Sequence, residues 1–93
     1  MDLATVTVED FLPFVGQEFG LVDTELSLVL LESKTALTRA NAPRQAFTLL
    51  FRCPVPAPQG TYALRHQALG VLEIFLVPIA QDGAGVQLEA VFS

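Results

Sequence analysis

The sequence predicts a mainly β fold: a small, bent antiparallel β-barrel of five or six strands with a short N-terminal helix. From Phe19 to Phe92, apolar residues recur mostly at every second position, the period of a strand that buries one face. Glycine, proline and polar residues separate these runs at short intervals. Only one segment, near the N-terminus, carries a helix-start signal. An open, sandwich-like roll is the alternative arrangement.

The short N-terminal helix is predicted from Thr7 and Asp10, whose spacing is that of a capping box with Asp in place of the usual Glu or Gln. Apolar residues with helical spacing follow. Pro13 lies among them and prevents a long regular helix. We therefore expect one or two turns that end before Gly16 and pack over one end of the β core; docking of this helix on a partner is the alternative.

Three strands are predicted next, at Phe19–Val22, Glu25–Lys34 and Ala46–Cys53. The second carries apolar residues on both faces, which indicates a strand that is central or sharply bent. The third alternates regularly. Leu37–Gln45 is polar and rich in turn residues, and is predicted to be a loop.

A stiff proline connector, Pro54–Gly60, leads into a predicted hairpin of Thr61–His66 and Val71–Ile79. Its turn is Gln67–Gly70, with Gly70 at positive φ. This hairpin contains the densest apolar run of the chain, so we expect its outer face to be a partner surface.

Pro78 is expected to end the pairing of the second hairpin strand or to lie at an edge, because proline cannot donate to a ladder. Gln81–Gly85 is predicted to be a flexible turn. Val86–Phe92 is then the last strand, and its apolar positions alternate.

Length and composition indicate a single domain, residues 1–93, with an apolar surface. Apolar residues make up 52% of the chain and charged residues 16%, against about 25% charged in a typical soluble domain. A domain of 10.0 kDa has little interior for its surface, so part of this apolar excess must lie outside. Large exposed apolar patches mark contacts with other chains. We therefore expect self-association or binding to another protein.

We expect a cytoplasmic location without membrane contact, because the sequence lacks a membrane-spanning run, a signal peptide and a possible disulfide. No apolar run approaches the ~20 residues of a membrane-spanning helix. No signal-peptide pattern is present at the N-terminus, and the single cysteine, Cys53, cannot form an internal disulfide. The net charge of −5 also disfavours nonspecific binding to nucleic acid or anionic lipid.

The basic residues form a block in the sequence. All five lie between positions 34 and 65, and the ten acidic residues flank that span. Either acidic and basic strands pair across the sheet, or the block forms a local basic patch. In the second case the candidate binding residues are Arg39, Arg44, Arg52, Arg65 and His66.

Catalysis is not expected. Cys53 and His66 are the only cysteine and histidine, and neither has the neighbours of a nucleophile. Cys53 is predicted to be a small buried apolar residue, and His66 an exposed polar residue at the hairpin tip. No metal-ligand spacing and no phosphate-binding glycine loop is present. We therefore predict a non-enzymatic protein without a cofactor.

Four segments carry a resemblance that covers nearly the whole chain: LATVTVEDFLPF (Leu3–Phe14), FTLLFR (Phe47–Arg52), PQGTYALRHQALGVLEIFLVPI (Pro58–Ile79) and EAVF (Glu89–Phe92). With them the chain resembles a family of short, functionally uncharacterised bacterial proteins. The resemblance transfers no activity. It links such proteins to genes for phage-tail-collar-like proteins. The apolar excess, the low charge and the absence of a catalytic constellation predict a structural or protein-interaction subunit, in a phage-tail-like assembly if that link holds. Relatives tend to have glycine in place of Cys53.

The order of a helix followed by bent strands is also similar to Sm-like and SH3-like small barrels, by topology alone. This likeness implies a second hypothesis, an RNA-binding Sm-like module that uses the basic block 34–65, chiefly Arg39, Arg44 and Arg52.

Overall fold

The computed structural model describes residues 1–93 and shows six antiparallel strands in a closed, barrel-like ring. Around the ring the strands follow the order β1, β2, β3, β6, β5, β4, and β4 returns to β1. Strands account for 52% of the residues. The predicted mainly β fold with a short N-terminal helix is confirmed. The elements are α1 (Val8–Phe11), a 3-10 turn (Leu12–Phe14), β1 (Glu18–Leu21), β2 (Ser27–Thr35), β3 (Phe47–Cys53), β4 (Gly60–His66), β5 (Gly70–Asp82) and β6 (Gly85–Phe92).

The helical segment is short, as its capping residues, its proline and the glycine after it predict. The Asp10 carboxylate accepts a hydrogen bond of 2.8 Å from the Thr7 N–H at the start of α1. Pro13 lies among the first residues of the 3-10 turn, where a backbone N–H would have no hydrogen-bond partner within the helix. The absence of this N–H in proline therefore costs no hydrogen bond. The chain leaves the segment at Gly16, which has φ +90°. The prediction of one or two turns is confirmed.

One hydrophobic core of 18 buried residues fills the ring. Its regular part is the alternation on β3 and β6, where every second residue from Phe47 to Cys53 and from Val86 to Phe92 is buried. Phe11 of α1 closes one end of the ring. Its ring centroid lies 6.1 Å from that of Phe47 and 6.2 Å from that of Phe92, and the last two rings stack at 4.6 Å. The helix therefore packs over one end of the core, as expected.

β2 pairs on both sides, with β1 and with β3, as predicted for a central strand with two apolar faces. The register between β2 and β3 shifts between Leu30 and Glu32, which is a β-bulge. Before the bulge the buried residues of β2 have even numbers, as Leu30 does. After it the buried residue has an odd number, which is Ser33. The Ser33 Oγ is satisfied there, because it donates a 3.0 Å hydrogen bond to the carbonyl oxygen of Val8.

The pairing within the β4–β5 hairpin does end before Pro78, as predicted, since its last pair is Gly60 with Leu76 and Pro78 has a neighbouring strand on one side only. The predicted end of the strand at Ile79 is wrong. β5 continues to Asp82, and its pairing with β6 shifts register between Pro78 and Ala80. Pro78 is opposite Leu88; since proline has no N–H, this must be a pair without mutual hydrogen bonds, and the ladder loses nothing. The predicted turn at Gln81–Gly85 is consequently shorter, because both strands extend into it.

Gly85 is the glycine whose replacement the fold tolerates least. It has φ +133°, a region that side chains rarely adopt, and a Cβ there would overlap the carbonyl group of Cys53. We expect Gly85→Ala to lower the free energy of unfolding by about 3 kcal/mol, through backbone strain and the clash together. Urea unfolding followed by circular dichroism measures this.

Gly83→Ala is the matched control, since Gly83 lies in the same turn and a Cβ there would meet nothing within 4 Å. It should change the free energy of unfolding by less than about 1 kcal/mol. Equal losses in both variants would contradict the role assigned to Gly85.

Candidate functional site

Arg44 contacts other residues of the chain and holds the N-terminal segment in place. Its Nη1 donates hydrogen bonds to the carbonyl oxygens of Leu3, at 3.0 Å, and Val6, at 2.7 Å. Its guanidinium carbon lies 5.7 Å from the ring centroid of Phe47 and 5.8 Å from that of Phe92, within the range of a cation–π contact. Arg44 therefore ties the N-terminal segment to the phenylalanine-lined end of the ring.

Arg52 is engaged by an acidic residue. Its Nη2 lies 3.1 Å from Oδ2 of Asp82, at the tip of the β5–β6 hairpin. The N–H of Ala84 donates to Oδ1 of Asp82 at 2.8 Å. This backbone hydrogen bond, with the smaller effects of Arg52 and Gln87, holds the pKa of Asp82 below its ordinary value of 3.8. The pair joins β3 to the hairpin, so the hypothesis that acidic and basic strands pair holds at this position.

The remaining basic residues lie apart from these two. Lys34 is 4.0 Å from Glu32 on its own strand. Arg39 belongs to the loop 37–43, which together with Ala46 and Ser93 lines a cavity of about 550 Å³. Arg65 is exposed on β4, three strands from β3 around the six-stranded ring. The structure thus does not bring Arg39, Arg52 and Arg65 together into one patch.

The prediction that His66 is exposed is wrong: only 7% of the residue is accessible. Its Nε2 lies 2.7 Å from Oε1 of Gln17, and the N–H of Ala68 donates to its Nδ1 at 3.0 Å. Because Nδ1 accepts, this arrangement fits the neutral ring with its proton on Nε2. The ring centroid lies 4.6 Å from that of Phe14 and 4.8 Å from that of Phe19. His66 therefore fastens the β4–β5 turn to the segment before β1.

Cys53 is 2% accessible and unpaired, as predicted for a small buried apolar residue. No group of three or more His, Cys, Asp and Glu side chains is arranged to hold a metal ion in residues 1–93. The loop cavity is lined by none of these residue types, and Arg39 is its charged side chain.

The outer face of the ring carries a row of half-exposed apolar side chains, which we call the apolar stripe. In β5, Val71 is 50%, Phe75 52% and Ile79 51% accessible, and in β6 Val91 is 66% accessible. Glu89, two residues before Val91, forms with Val77 the pair at which the β5–β6 ladder stops, so Phe75 and Val91 lie just past the end of that ladder and are not paired with each other. The sequence indicated the β5 part of the stripe through the hairpin's outer face. It did not indicate Val91, because that requires the pairing of β6 with β5.

The fold and this surface define a small, mainly β module with an apolar stripe on the outside of its ring. The family model "Domain of unknown function (DUF6916)" matches residues 6–92, and the chain belongs to this family. The resemblance to a functionally uncharacterised family is thereby confirmed. No curated protein and no solved structure matches the chain. None of the helices is long and apolar enough to cross a membrane.

Arg44 can be tested against Arg39, which contacts no comparable set of groups. We expect Arg44→Ala to lower the free energy of unfolding by about 2–3 kcal/mol, because two charge-assisted hydrogen bonds and the contact with the rings are lost. Arg39→Ala should change it by less than about 0.5 kcal/mol, as is usual for surface positions. Urea denaturation gives both values. A similar small change in both variants would contradict the structural role of Arg44.

Asp82 makes a pH-dependent contribution to stability. Its folded-state pKa is below 3.8, so the contribution is present above the unfolded-state pKa and is lost as the pH falls through the folded-state value. We therefore expect Asp82→Asn to be less stable than the wild type at pH 7, and this difference to shrink at pH 3. Urea midpoints at the two pH values test this. A difference that is the same at both would show that the Asp82 charge is not the cause.

Proposed function

We propose that this protein is a non-enzymatic structural subunit that binds another protein chain through the apolar stripe. The single observation that carries this proposal is the half exposure of Val71, Phe75, Ile79 and Val91 on one outer face of the ring. Isolated exposed apolar residues are ordinary, but several on the outer face of two neighbouring strands of a small domain are typical of a contact with another chain.

The stripe is not needed for folding. The inward residues of the same strands, among them Leu72, Ile74 and Leu88, already form the core and are at most 2% accessible. Val71 and Phe75 lie on the part of β5 that pairs with β4, and Val91 on the part of β6 that pairs with β3, so the backbone at these three positions is held on one side by a ladder. Phe75 is the largest member, and a rigid aromatic side chain of this kind is a frequent anchor at protein interfaces.

A tail-like assembly is the proposed setting. What supports it is the resemblance to proteins that are linked to phage-tail-collar-like proteins, together with an apolar surface suited to permanent contacts. A cytoplasmic location is part of the proposal, and it is supported by the unpaired Cys53.

RNA binding by the basic block stays a prediction, and the arrangement of the arginines favours it less. Arg44 is bonded to backbone carbonyls and Arg52 is paired with Asp82. A protein of net charge −5 needs a continuous basic surface to hold a phosphate backbone. Fluorescence titration with single-stranded RNA at low and high salt tests this alternative; salt-sensitive binding that Arg39→Ala weakens would favour it over protein binding.

The stripe can be tested by the double replacement Phe75→Ser and Val91→Ser. Since both side chains are at least half exposed, we expect a loss of stability below about 1 kcal/mol. We expect contacts with other chains to be lost. The wild type and the variant are compared by chemical cross-linking in extracts of the source cells, by mass spectrometry of the cross-linked proteins and by reconstitution of the complex from purified components. Sedimentation velocity reports self-association of the purified chain.

Leu37→Ser and Val55→Ser are the matched controls, because Leu37 is 100% and Val55 40% accessible and neither belongs to the stripe. They should keep the reconstituted complex. A complex that forms equally well with the stripe variant would overturn the proposal, as would a wild-type chain that stays monomeric and forms no reconstituted complex.

A further inference from the structure

We propose that the first half of β5 binds an extended segment of a different protein by strand addition, with a lysine or arginine of that segment facing Glu73. This inference rests on the proposed function and specifies how the partner is held. In this binding mode, main-chain hydrogen bonds supply affinity and alternate side chains supply specificity.

The ring is closed between β5 and β6 over only part of their length. Their pairs extend from Val77 with Glu89 to Asp82 with Gly85. Residues 70–76 of β5 pair with β4 alone, and residues 90–92 of β6 pair with β3 alone. The two strands therefore separate at a seam where each has an edge without a neighbouring strand.

The alternation of an antiparallel ladder shows which backbone groups face this seam. Pro78 occupies a pair without mutual hydrogen bonds, so Val77 directs its N–H and C=O groups toward β6. By the same alternation, the corresponding groups of Phe75, Glu73 and Val71 point away from β4 and into the seam. None of the 11 backbone hydrogen bonds outside the regular elements involves these three residues. We call them the β5 edge.

The side chains of the β5 edge suit an added strand. All three are exposed, and Val71 and Phe75 belong to the apolar stripe. Val91 lies across the seam and is 66% accessible. Two apolar residues four positions apart in an added strand would therefore lie beside Val71 and Phe75, as neighbouring side chains do on one face of a sheet, and the residue midway between them would lie beside Glu73.

Glu73 decides what kind of segment the edge accepts. It lies in the middle of the edge, its neighbour on β4 is Ala63, and the ion pairs of the structure do not include it. Two β5 edges paired antiparallel over all three residues would place Glu73 of one copy directly opposite Glu73 of the other. Like charges at that position are destabilising, and each copy carries a net charge of −5. The edge therefore disfavours a second copy and favours a basic segment.

Proline replacements test the edge itself. The N–H of Glu73 faces the seam, so Glu73→Pro should leave the fold and the urea midpoint nearly unchanged. The N–H of Ile74 faces β4 by the same alternation, so Ile74→Pro should unfold the protein or lower the midpoint strongly. In the wild type, the amide protons of Val71, Glu73 and Phe75 should exchange with solvent at least ~10-fold faster than those of Leu72 and Ile74. Slow exchange at the first three, or unfolding of Glu73→Pro, would overturn the inference.

Binding is tested with a blocked nonapeptide that carries valine, lysine and valine at successive second positions, so that the three share one face, with threonine at the other positions. It is titrated into the full-length chain and followed by NMR. We expect amide exchange at the β5 edge to slow by about 10-fold or more in the bound state. We expect Glu73→Pro to weaken binding by about 10-fold or more, because it removes a main-chain hydrogen bond and the carboxylate together. Glu73→Gln should weaken it less and reduce its dependence on salt. A peptide with glutamate in place of lysine is the control and should bind at least several-fold more weakly.

The outcomes separate this inference from the proposed function. If the lysine peptide does not bind, or binds Glu73→Pro as well as the wild type without slowing exchange at the β5 edge, strand addition is wrong. The proposed function survives that result when the Phe75 and Val91 replacements still abolish a reconstituted complex. If the variant with Phe75 and Val91 replaced keeps both the reconstituted complex and peptide binding, the proposed function is wrong. Strand addition would then depend on main-chain hydrogen bonds alone.

Discussion

The structure depends on one strand that pairs with two partners in succession. β5 is 13 residues long; its first half pairs with β4 and its second half with β6. Without the second half the ring would not close, because β4 and β6 have no pairing of their own. The change of partner falls between Leu76 and Val77, and the register shift between Pro78 and Ala80 follows it within the ladder with β6. The same change leaves residues 70–76 without a neighbour on the β6 side, so closure of the ring and the free edge have one cause.

Polar and charged side chains serve mainly to fasten segments that the ring does not hold. Arg44 holds the N-terminal segment through the carbonyl oxygens of Leu3 and Val6. His66 joins a turn to Gln17, 49 residues earlier in the chain. Asp82 joins the tip of the β5–β6 hairpin, where both faces of β5 are exposed, to Arg52. These uses explain why a block of basic residues in the sequence does not become a basic surface in the fold.

Local patterns predicted most of the elements, because alternation, capping and turn residues act over a few positions. They predicted β3 and β6 almost to the residue, and the two-faced β2 as a strand that is central or sharply bent. They failed where the answer depends on distant pairing. The continuation of β5 past Ile79 to Asp82 follows only from its ladder with β6. His66 reads as an exposed tip residue until Gln17 and Phe14 are brought against it. For the candidate site, the hairpin face was predictable, whereas Val91 and the free edge follow from register alone.

An exposed strand edge beside apolar side chains is a hazard, because it invites pairing with other copies of the chain. Natural sheets often protect such edges with a charge, and Glu73 is that charge here, in the middle of the β5 edge. A single carboxylate cannot repel every partner, however. It repels edges that carry the same charge and attracts a basic one, so in the proposed strand addition the residue that opposes self-pairing would also select among other proteins. The apolar stripe alone would bind many surfaces; the position of Glu73 within it is what makes one class of extended segment fit better than the rest.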